Sequence, residues 1–196
     1  MRRLDTVAKA VVADTCAVWN ILSSALLHRT CAKLGVEFAL TGFVLYECLH
    51  KPRKRRSENE ERLKERLRAA REQGAFKSYH LTVEDLQEVA RLETRKRVSK
   101  GELSAIAFAR RIGLAFQTDD MGARKLAESL LPSDRVQTTP HLLGWLFFSG
   151  HLVDGELRGI VDEHQSFERP LGPYFEEAYF EAMRCRLLEA HGGGHS

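Results

Sequence analysis

A short apolar segment that ends in a carboxylate, residues 11–15, constrains the fold of this chain more than any other feature. Val11, Val12 and Ala13 are typical of a buried strand, and Asp14 ends it just before a helical pattern begins. A strand that passes directly into a helix places Asp14 at the carboxyl edge of a parallel sheet, where α/β folds build their sites. Asp14 is a metal ligand if other carboxylates reach this edge, and otherwise only a helix N-cap.

The alternation of strand and helix patterns continues along the chain and predicts an α/β fold with a doubly wound sheet of about five parallel strands. The strands are predicted at residues 10–14, 37–41, 76–81, 114–118 and 135–139. The helices are predicted at 16–28, from Gly42, and at 58–72, 83–97, 99–113, 121–130, 141–152, 154–163 and 174–190.

Two glutamates lie on helices next to predicted strands, one after the second strand and one before the fourth. Glu47 lies among apolar residues on the short helix after the second strand, so it can face the same edge as Asp14; alternatively it is an exposed residue on a polar stripe. Glu102 stands three residues after Ser99 at the start of a helix. Its alternative interpretation is the glutamate of a capping box.

A pair of adjacent aspartates repeats the pattern of Asp14. Asp119 and Asp120 end the fourth predicted strand directly before a helix. Either could be only an N-cap, but two adjacent carboxylates exceed what capping needs, and like charges repel unless a cation lies between them. If the first and fourth strands are neighbours, this pair lies beside Asp14. An all-oxygen set of ligands favours Mg²⁺ or Mn²⁺ over Zn²⁺.

A block of basic residues follows the helix that comes after the second predicted strand. The formal net charge is only +3, but Arg53, Lys54, Arg55 and Arg56 follow each other without an acid. A positive patch beside an acidic metal site would position a phosphodiester backbone, so RNA contact is predicted here. The alternative is a solvated run of charge, which is also the interpretation of the helix over 58–72.

At this point the chain resembles the PIN-domain nucleases, notably the bacterial branch of toxin ribonucleases and their stand-alone relatives. The resemblance spans about residues 10–150 and is carried by VVADTCAVWNIL, VLYECL and KGELSAIAFARRIGLAFQTDDMGARKLA. It implies a three-layer α/β/α sandwich and a metal-dependent endoribonuclease. It places the catalytic metal ligands at Asp14, Glu47, Glu102 and the Asp119–Asp120 pair, of which Asp120, two residues after Thr118, is preferred. Thr15 and Thr118 match polar positions beside the metal.

The resemblance also divides the chain and suggests its partners. Residues 1–150 are expected to form the PIN-like domain with a charged helical insertion at 51–73, followed by a helical extension at 151–190 and a flexible tail at 191–196. RNA is the expected substrate, with Arg124 and Lys125 beside residues 53–56 on its backbone. A small antitoxin protein and a homodimer are further expected partners if the chain is the toxin of a toxin–antitoxin pair.

Two other functions are alternatives to a ribonuclease. The first is a PIN scaffold that holds RNA or a protein without cutting. The second is a receiver or phosphatase domain, which also clusters acids at strand ends; the lack of a DxD nucleophile pattern argues against it. We expect a cytoplasmic location, because the four cysteines show no disulfide spacing and the apolar stretch 142–148 is too short to span a bilayer.

Overall fold

Five parallel strands form the centre of the computed structural model, which describes residues 7–52, 57–93 and 98–192. The strands are β1 (Ala10–Ala13), β2 (Glu37–Thr41), β3 (Phe76–Tyr79), β4 (Ala115–Gln117) and β5 (Val136–Gln137). Their order in the sheet is β3-β2-β1-β4-β5, which confirms that the first and fourth strands are neighbours.

The register of the sheet brings the ends of three strands level with one another. Ala13 of β1 pairs with Gln117 of β4, and Gln117 pairs with Gln137 of β5. The ladder continues one residue further, because the N–H of Asp14 donates to the carbonyl of Gln117 at 3.1 Å. The residues that follow β1 and β4, Asp14 and Thr118, therefore lie side by side at the carboxyl edge.

Helices cover both faces of this sheet, and the predicted α/β/α sandwich with additional C-terminal helices is confirmed. In chain order the helices are α1 (Thr15–Leu22), α2 (Ala25–Lys33), α3 (Gly42–Leu49), α4 (Glu58–Glu72), α5 (Val83–Glu93), α6 (Lys100–Ile112), α7 (Met121–Glu128), α8 (Thr139–Phe148), α9 (Glu156–Ser166) and α10 (Gly172–Gly192). Within the described ranges, no helix combines the length and the apolar character needed to cross a bilayer.

The single helix predicted over residues 16–28 is wrong, since the chain forms α1 and α2 there. Ser23 and Ser24 separate them. The hydroxyl of Ser23 donates to the carbonyl of Asn20 at 2.7 Å, and the hydroxyl of Ser24 accepts from the N–H of Leu27 at 3.3 Å. Two serine hydroxyls that bond to nearby backbone groups favour a break and a new N-cap over a continuous helix.

The signals that bound α6 act as the sequence predicted. Ser99 and Glu102 form a capping box at its start, and Gly113 ends it with a left-handed φ of 69°. An L-residue with a side chain would be strained in that conformation, so glycine is the natural stop. These two boundaries fix where Glu102 stands relative to the sheet edge.

The core continues from the sheet into the C-terminal helices. Val12 and Phe116 are fully buried in the sheet, and Phe147 of α8 and Phe175 of α10 are equally buried in the same cluster. The ring of Phe147 meets that of Tyr179 edge to face, with 5.0 Å between centroids. Residues 151–192 therefore share apolar packing with the α/β part of the chain, instead of forming a core of their own.

Candidate functional site

Asp14 stands directly after β1, at the predicted place, and is completely buried. Its Oδ1 atom accepts a 2.8 Å hydrogen bond from the N–H of Ala17, so Asp14 is indeed the N-cap of α1. Its Oδ2 atom accepts a hydrogen bond from the hydroxyl of Thr118. Burial, with smaller contributions from the charges of Asp119 and Glu102, raises the pKa of Asp14 to about 8.

Glu47 reaches the same region from α3. Its side chain is only 12% exposed, so the alternative of an exposed residue on a polar stripe is wrong. The hydroxyl of Thr15 donates to Oε2 at 2.9 Å, the hydroxyl of Ser99 donates to Oε2 at 3.4 Å, and the N–H of Gly101 donates to Oε1 at 3.3 Å. Glu47 thus connects α3 to the first residue of α1 and to the start of α6.

The close approach of Glu47 to α6 depends on a glycine. A Cβ atom built at Gly101 would overlap the Glu47 carboxylate, with the carboxyl carbon Cδ at 2.8 Å. That separation is below any normal carbon–carbon contact, so a side chain at this position would displace Glu47. Gly101 is therefore required by the approach of a neighbour and not by its own backbone conformation.

Glu102 has the structural role that its spacing from Ser99 suggested, and it also lies near the other acids. Its Oε2 atom accepts a 2.7 Å hydrogen bond from the N–H of Ser99, which completes the capping box. Burial raises the pKa of Glu102, and the negative charges of Asp120 and Glu47 add to this effect. The negative charge of Glu102 also contributes to the raised pKa of Asp14, so Glu102 lies near the carboxylate that follows β1.

The two aspartates after β4 point to different partners. Asp119 accepts three hydrogen bonds: 2.7 Å from the side-chain amide of Asn20, and 2.8 and 2.6 Å from the N–H and hydroxyl of Thr139. Asp120 is the N-cap of α7, and its Oδ1 atom accepts a 2.8 Å hydrogen bond from the N–H of Ala123. Among the described residues, Asp119 is therefore held by several protein donors, whereas the Asp120 carboxylate accepts only the hydrogen bond of a cap.

Three residues that support Asp119 were missed in the sequence. Asn20 is a buried polar residue on the otherwise apolar face of α1, and its position among apolar neighbours was the one signal that could have identified it. Thr139 begins α8, and Arg169 lies between α9 and α10, where it donates to Asn20 Oδ1 at 2.8 Å. Burial raises the pKa of Asp119, while Asn20, Thr139 and Arg169 oppose the shift.

A cysteine lies beside these residues. Cys16 is half-buried, and its sulfur lies 3.7 Å from both the Asn20 amide and the Arg169 guanidinium. Burial, with the charge of Asp14 next in size, raises the pKa of the thiol to about 12. A reactive cysteine needs a lowered pKa, so the burial of Cys16 and the carboxylates beside it disfavour a nucleophilic role for this thiol.

The site fits a hard divalent cation in the kind and charge of its ligands. Among the described residues, none of Asp14, Glu102, Asp119 and Asp120 forms a salt bridge, and Glu47 has only the 3.6 Å contact with Lys51. Carboxylates without counter-ions, whose charges contribute to the raised pKa of Asp14 and of Glu102, are the electrostatic setting in which Mg²⁺ or Mn²⁺ binds. In the described ranges, however, no three His, Cys, Asp or Glu side chains already stand close enough to hold an ion.

The structure describes two of the six predicted RNA-binding residues. Arg124 is half-buried and Lys125 exposed on α7, one turn beyond Asp120. The backbone N–H of Arg124 donates to the carbonyl of Asp120 at 2.9 Å, so the two residues share the first turn of that helix. Arg53, Lys54, Arg55 and Arg56 lie outside the described residues, and their RNA contacts stay a prediction.

Comparison with known proteins adds no relative to this picture. No family model matches the chain, and no curated protein matches it either. The resemblance to PIN domains therefore depends on the motifs of the sequence and on the position of their residues at one sheet edge.

Proposed function

We propose that this chain is a PIN-type endoribonuclease that depends on Mg²⁺ or Mn²⁺ and hydrolyses RNA phosphodiester bonds. The observation that carries the proposal is that side chains from β1, α3, α6 and the end of β4 meet at one edge of the sheet. The hydroxyl of Thr118 donates to Asp14 and accepts from the N–H of Asp120 at 3.1 Å, while Glu47 accepts from Thr15 beside Asp14 and from Gly101 beside Glu102. Three carboxylates from distant parts of the chain, without salt bridges among the described residues, are the acidic edge that the sequence resemblance implies.

In this proposal Asp14, Glu102 and Asp120 hold the ion, and Glu47 completes the acidic set. When bound, a divalent cation lowers the pKa of water and neutralises charge on the phosphate oxygens. Thr118 orients Asp14 through its hydroxyl, and Thr15 orients Glu47 in the same way. Asp119 is assigned a supporting role, because its two oxygens already accept three protein hydrogen bonds.

The RNA backbone is assigned to the basic residues near this edge. Arg124 and Lys125 extend from the helix that Asp120 caps, so a phosphate near the ion lies within their reach. The sequence prediction adds residues 53–56 to this set. Toxin activity, a small antitoxin partner, a homodimer and a cytoplasmic location stay predictions of the sequence.

The proposal is tested by incubating a labelled RNA with the full chain and Mn²⁺ or Mg²⁺. Cleavage that stops in EDTA and in Asp14→Asn, but continues in Asp162→Asn, supports it. Asp162 is the matched control, since it is a 63% exposed aspartate on α9 that pairs with Arg158 and lies away from the acidic residues of the sheet edge. Products with 5′-phosphate and 3′-hydroxyl ends would exclude contamination by a metal-independent ribonuclease, which attacks through the 2′-hydroxyl and leaves a cyclic phosphate or 3′-phosphate. Equal cleavage by wild type and Asp14→Asn would overturn the proposal.

A PIN scaffold that binds RNA without cutting it is the second candidate. It is favoured by one observation: Asp14, Glu102 and Asp120 all serve as capping residues, and no three acids in the described ranges are gathered at metal-binding distance. RNA binding that persists in EDTA, with no turnover under any divalent cation, would support this candidate over the nuclease.

A further inference from the structure

A pocket of about 720 Å³ opens beside Glu47. It lies between α3, the end of β3 and the start of α6, and its walls include Tyr46, Tyr79 and Ser99. Pockets of several hundred cubic ångströms are typical of small-molecule sites, so this one has room for a nucleobase and its ribose. None of the roles assigned above uses it.

The walls of the pocket present two aromatic rings to solvent. Tyr46 is 51% exposed and Tyr79 is 41% exposed, so both rings are accessible to a ligand in the pocket. The ring of Tyr79 packs against the buried Phe108, with 5.5 Å between centroids and 35° between planes. Tyr79 is therefore held in place by the core while part of its ring remains accessible.

The pocket is directly connected to the acidic edge through shared residues. Glu47 lines it, and the same carboxylate accepts hydrogen bonds from Thr15 and Gly101 at the candidate metal site. An occupant of the pocket thus lies next to the carboxylates and not on a separate face of the molecule.

Positive charge accompanies the aromatic rings. Lys51 and Lys100 both line the pocket, and their side chains are 53% and 60% exposed. Each stands 3.6 Å from a single glutamate oxygen, Lys51 from Glu47 and Lys100 from Glu93, so both ammonium groups keep most of their access to solvent. Aromatic faces with flanking cations are the chemistry that binds a base and its phosphates.

We propose that this pocket binds one unstacked nucleobase of a single-stranded RNA, by stacking on Tyr46 and Tyr79, with Lys51 and Lys100 on the neighbouring phosphates. The inference rests on the proposed function, because it places the bound nucleotide beside the phosphodiester bond that the acidic edge would cleave. A base inside a duplex is stacked on its neighbours and cannot enter, so the pocket selects single strands. An apolar peptide is disfavoured, since the two lysines and Glu47 would have to be covered by it.

The test measures binding separately from cleavage, using the full chain in EDTA. Wild type is expected to bind fluorescein-labelled oligoadenylate more tightly than an abasic ribose–phosphate strand of equal length, by fluorescence anisotropy. Tyr46→Leu and Tyr79→Leu are each expected to weaken oligoadenylate binding by at least about fivefold and to leave the abasic strand unaffected. Tyr46→Phe should bind as wild type, because it keeps the ring.

Tyr174→Ala is the matched control, since Tyr174 is 57% exposed on α10 and does not line the pocket. Oligoadenylate binding that is unchanged in both leucine variants would overturn the inference, even if wild type cleaves RNA with Mn²⁺. An effect of both leucine variants on binding of the abasic strand as well would overturn base stacking in the same way. If wild type cleaves no RNA but its binding depends on the two rings, the nuclease proposal fails and the base site stands.

Discussion

Arg169 donates a 2.8 Å hydrogen bond from its Nε atom to the side-chain oxygen of Asn20, 149 residues earlier in the chain. This contact leaves the Asn20 amide nitrogen facing Asp119, to which it donates at 2.7 Å. A residue of the C-terminal helical region therefore orients a donor at the end of β4. The predicted boundary near residue 150 does not separate the acidic edge from its supports.

The first prediction concerns this chain of contacts. Arg169→Gln removes the guanidinium that orients Asn20, and the buried Asn20 oxygen loses its donor. We expect RNA cleavage to fall by no more than about tenfold, because Arg169 acts through Asn20 on Asp119, which supports the ligands without holding the ion itself. We expect the free energy of unfolding to fall by about 1–3 kcal/mol. Initial cleavage rates and urea unfolding check the two effects.

The control for this variant lies on the preceding helix. Arg158→Gln also removes an arginine, but the Arg158 side chain is 91% exposed and forms a 3.6 Å ion pair with the exposed Asp162. It should cleave and unfold as wild type does. If Arg169→Gln loses stability but keeps full cleavage, the contact with Asn20 is structural only.

A second prediction follows from the space that Gly101 leaves for Glu47. Gly101→Ala places a methyl group where the Glu47 carboxylate lies, so Glu47 must move away from the start of α6. A displacement of this kind is expected to reduce cleavage on the order of a hundredfold. Rates with saturating Mn²⁺ and RNA check this expectation.

Gly159→Ala is the matched variant, because a Cβ at Gly159 of α9 meets no atom within 4 Å. Alanine favours a helix over glycine by up to about 1 kcal/mol, so Gly159→Ala should be slightly more stable than wild type and equally active. Equal cleavage by Gly101→Ala and wild type would show that the position of Glu47 is unimportant for the reaction.

The third prediction concerns metal binding in the absence of RNA. A ligand that binds only the folded state stabilises it by about 2.7 kcal/mol at a hundred times its dissociation constant. We expect Mn²⁺ to raise the Tm of wild type and of Asp162→Asn, and to leave the Tm of Asp14→Asn unchanged. Differential scanning fluorimetry across a range of Mn²⁺ concentrations measures this. An equal rise in all three proteins would place the ion elsewhere.

Much of the fold was predictable because its signals are local. β2 and α4 have the predicted bounds, and Ser99 and Gly113 mark the ends of α6, since apolar periodicity and capping residues act over a few positions. The break at Ser23 and Ser24 was missed because the apolar pattern continues across it. Whether a serine caps or continues a helix depends on contacts that the pattern does not contain.

The candidate site was most directly predictable where its residues end strands. Asp14 and Asp120 stand there, and the parallel sheet brings strand ends together whatever the loops do. Thr139 and Arg169 carry no such signal, because their positions relative to Asp119 are set by how α8, α9 and α10 pack. The direction of the Glu47 side chain likewise depends on another helix, α6, where Gly101 has no side chain that would occupy its place.

A buried histidine near Asn20 makes the stability of the fold depend on pH. His164 of α9 is completely buried, and its Nε2 atom accepts a 3.2 Å hydrogen bond from the N–H of Leu171. Its Nδ1 atom must then carry the proton of the neutral ring, which it donates to the hydroxyl of Ser23. Ser23 in turn donates to the carbonyl of Asn20 at 2.7 Å. The contacts of the ring therefore require the neutral form.

The fourth prediction is that acid destabilises the fold through His164. Burial, together with the charge of Arg169, lowers the pKa of His164 from 6.5 to about 4. Between these two values the unfolded chain binds more protons than the folded one, so stability falls as the pH falls from 6.5 to about 4. A shift of this size corresponds to a loss of about 3 kcal/mol over that window.

His164→Gln, which cannot be protonated, should lose less stability than wild type over the same window in urea unfolding. His151→Gln, a change at an exposed histidine, should behave as wild type. Identical pH dependence of wild type and His164→Gln would mean that other groups, and not this ring, cause the acid sensitivity.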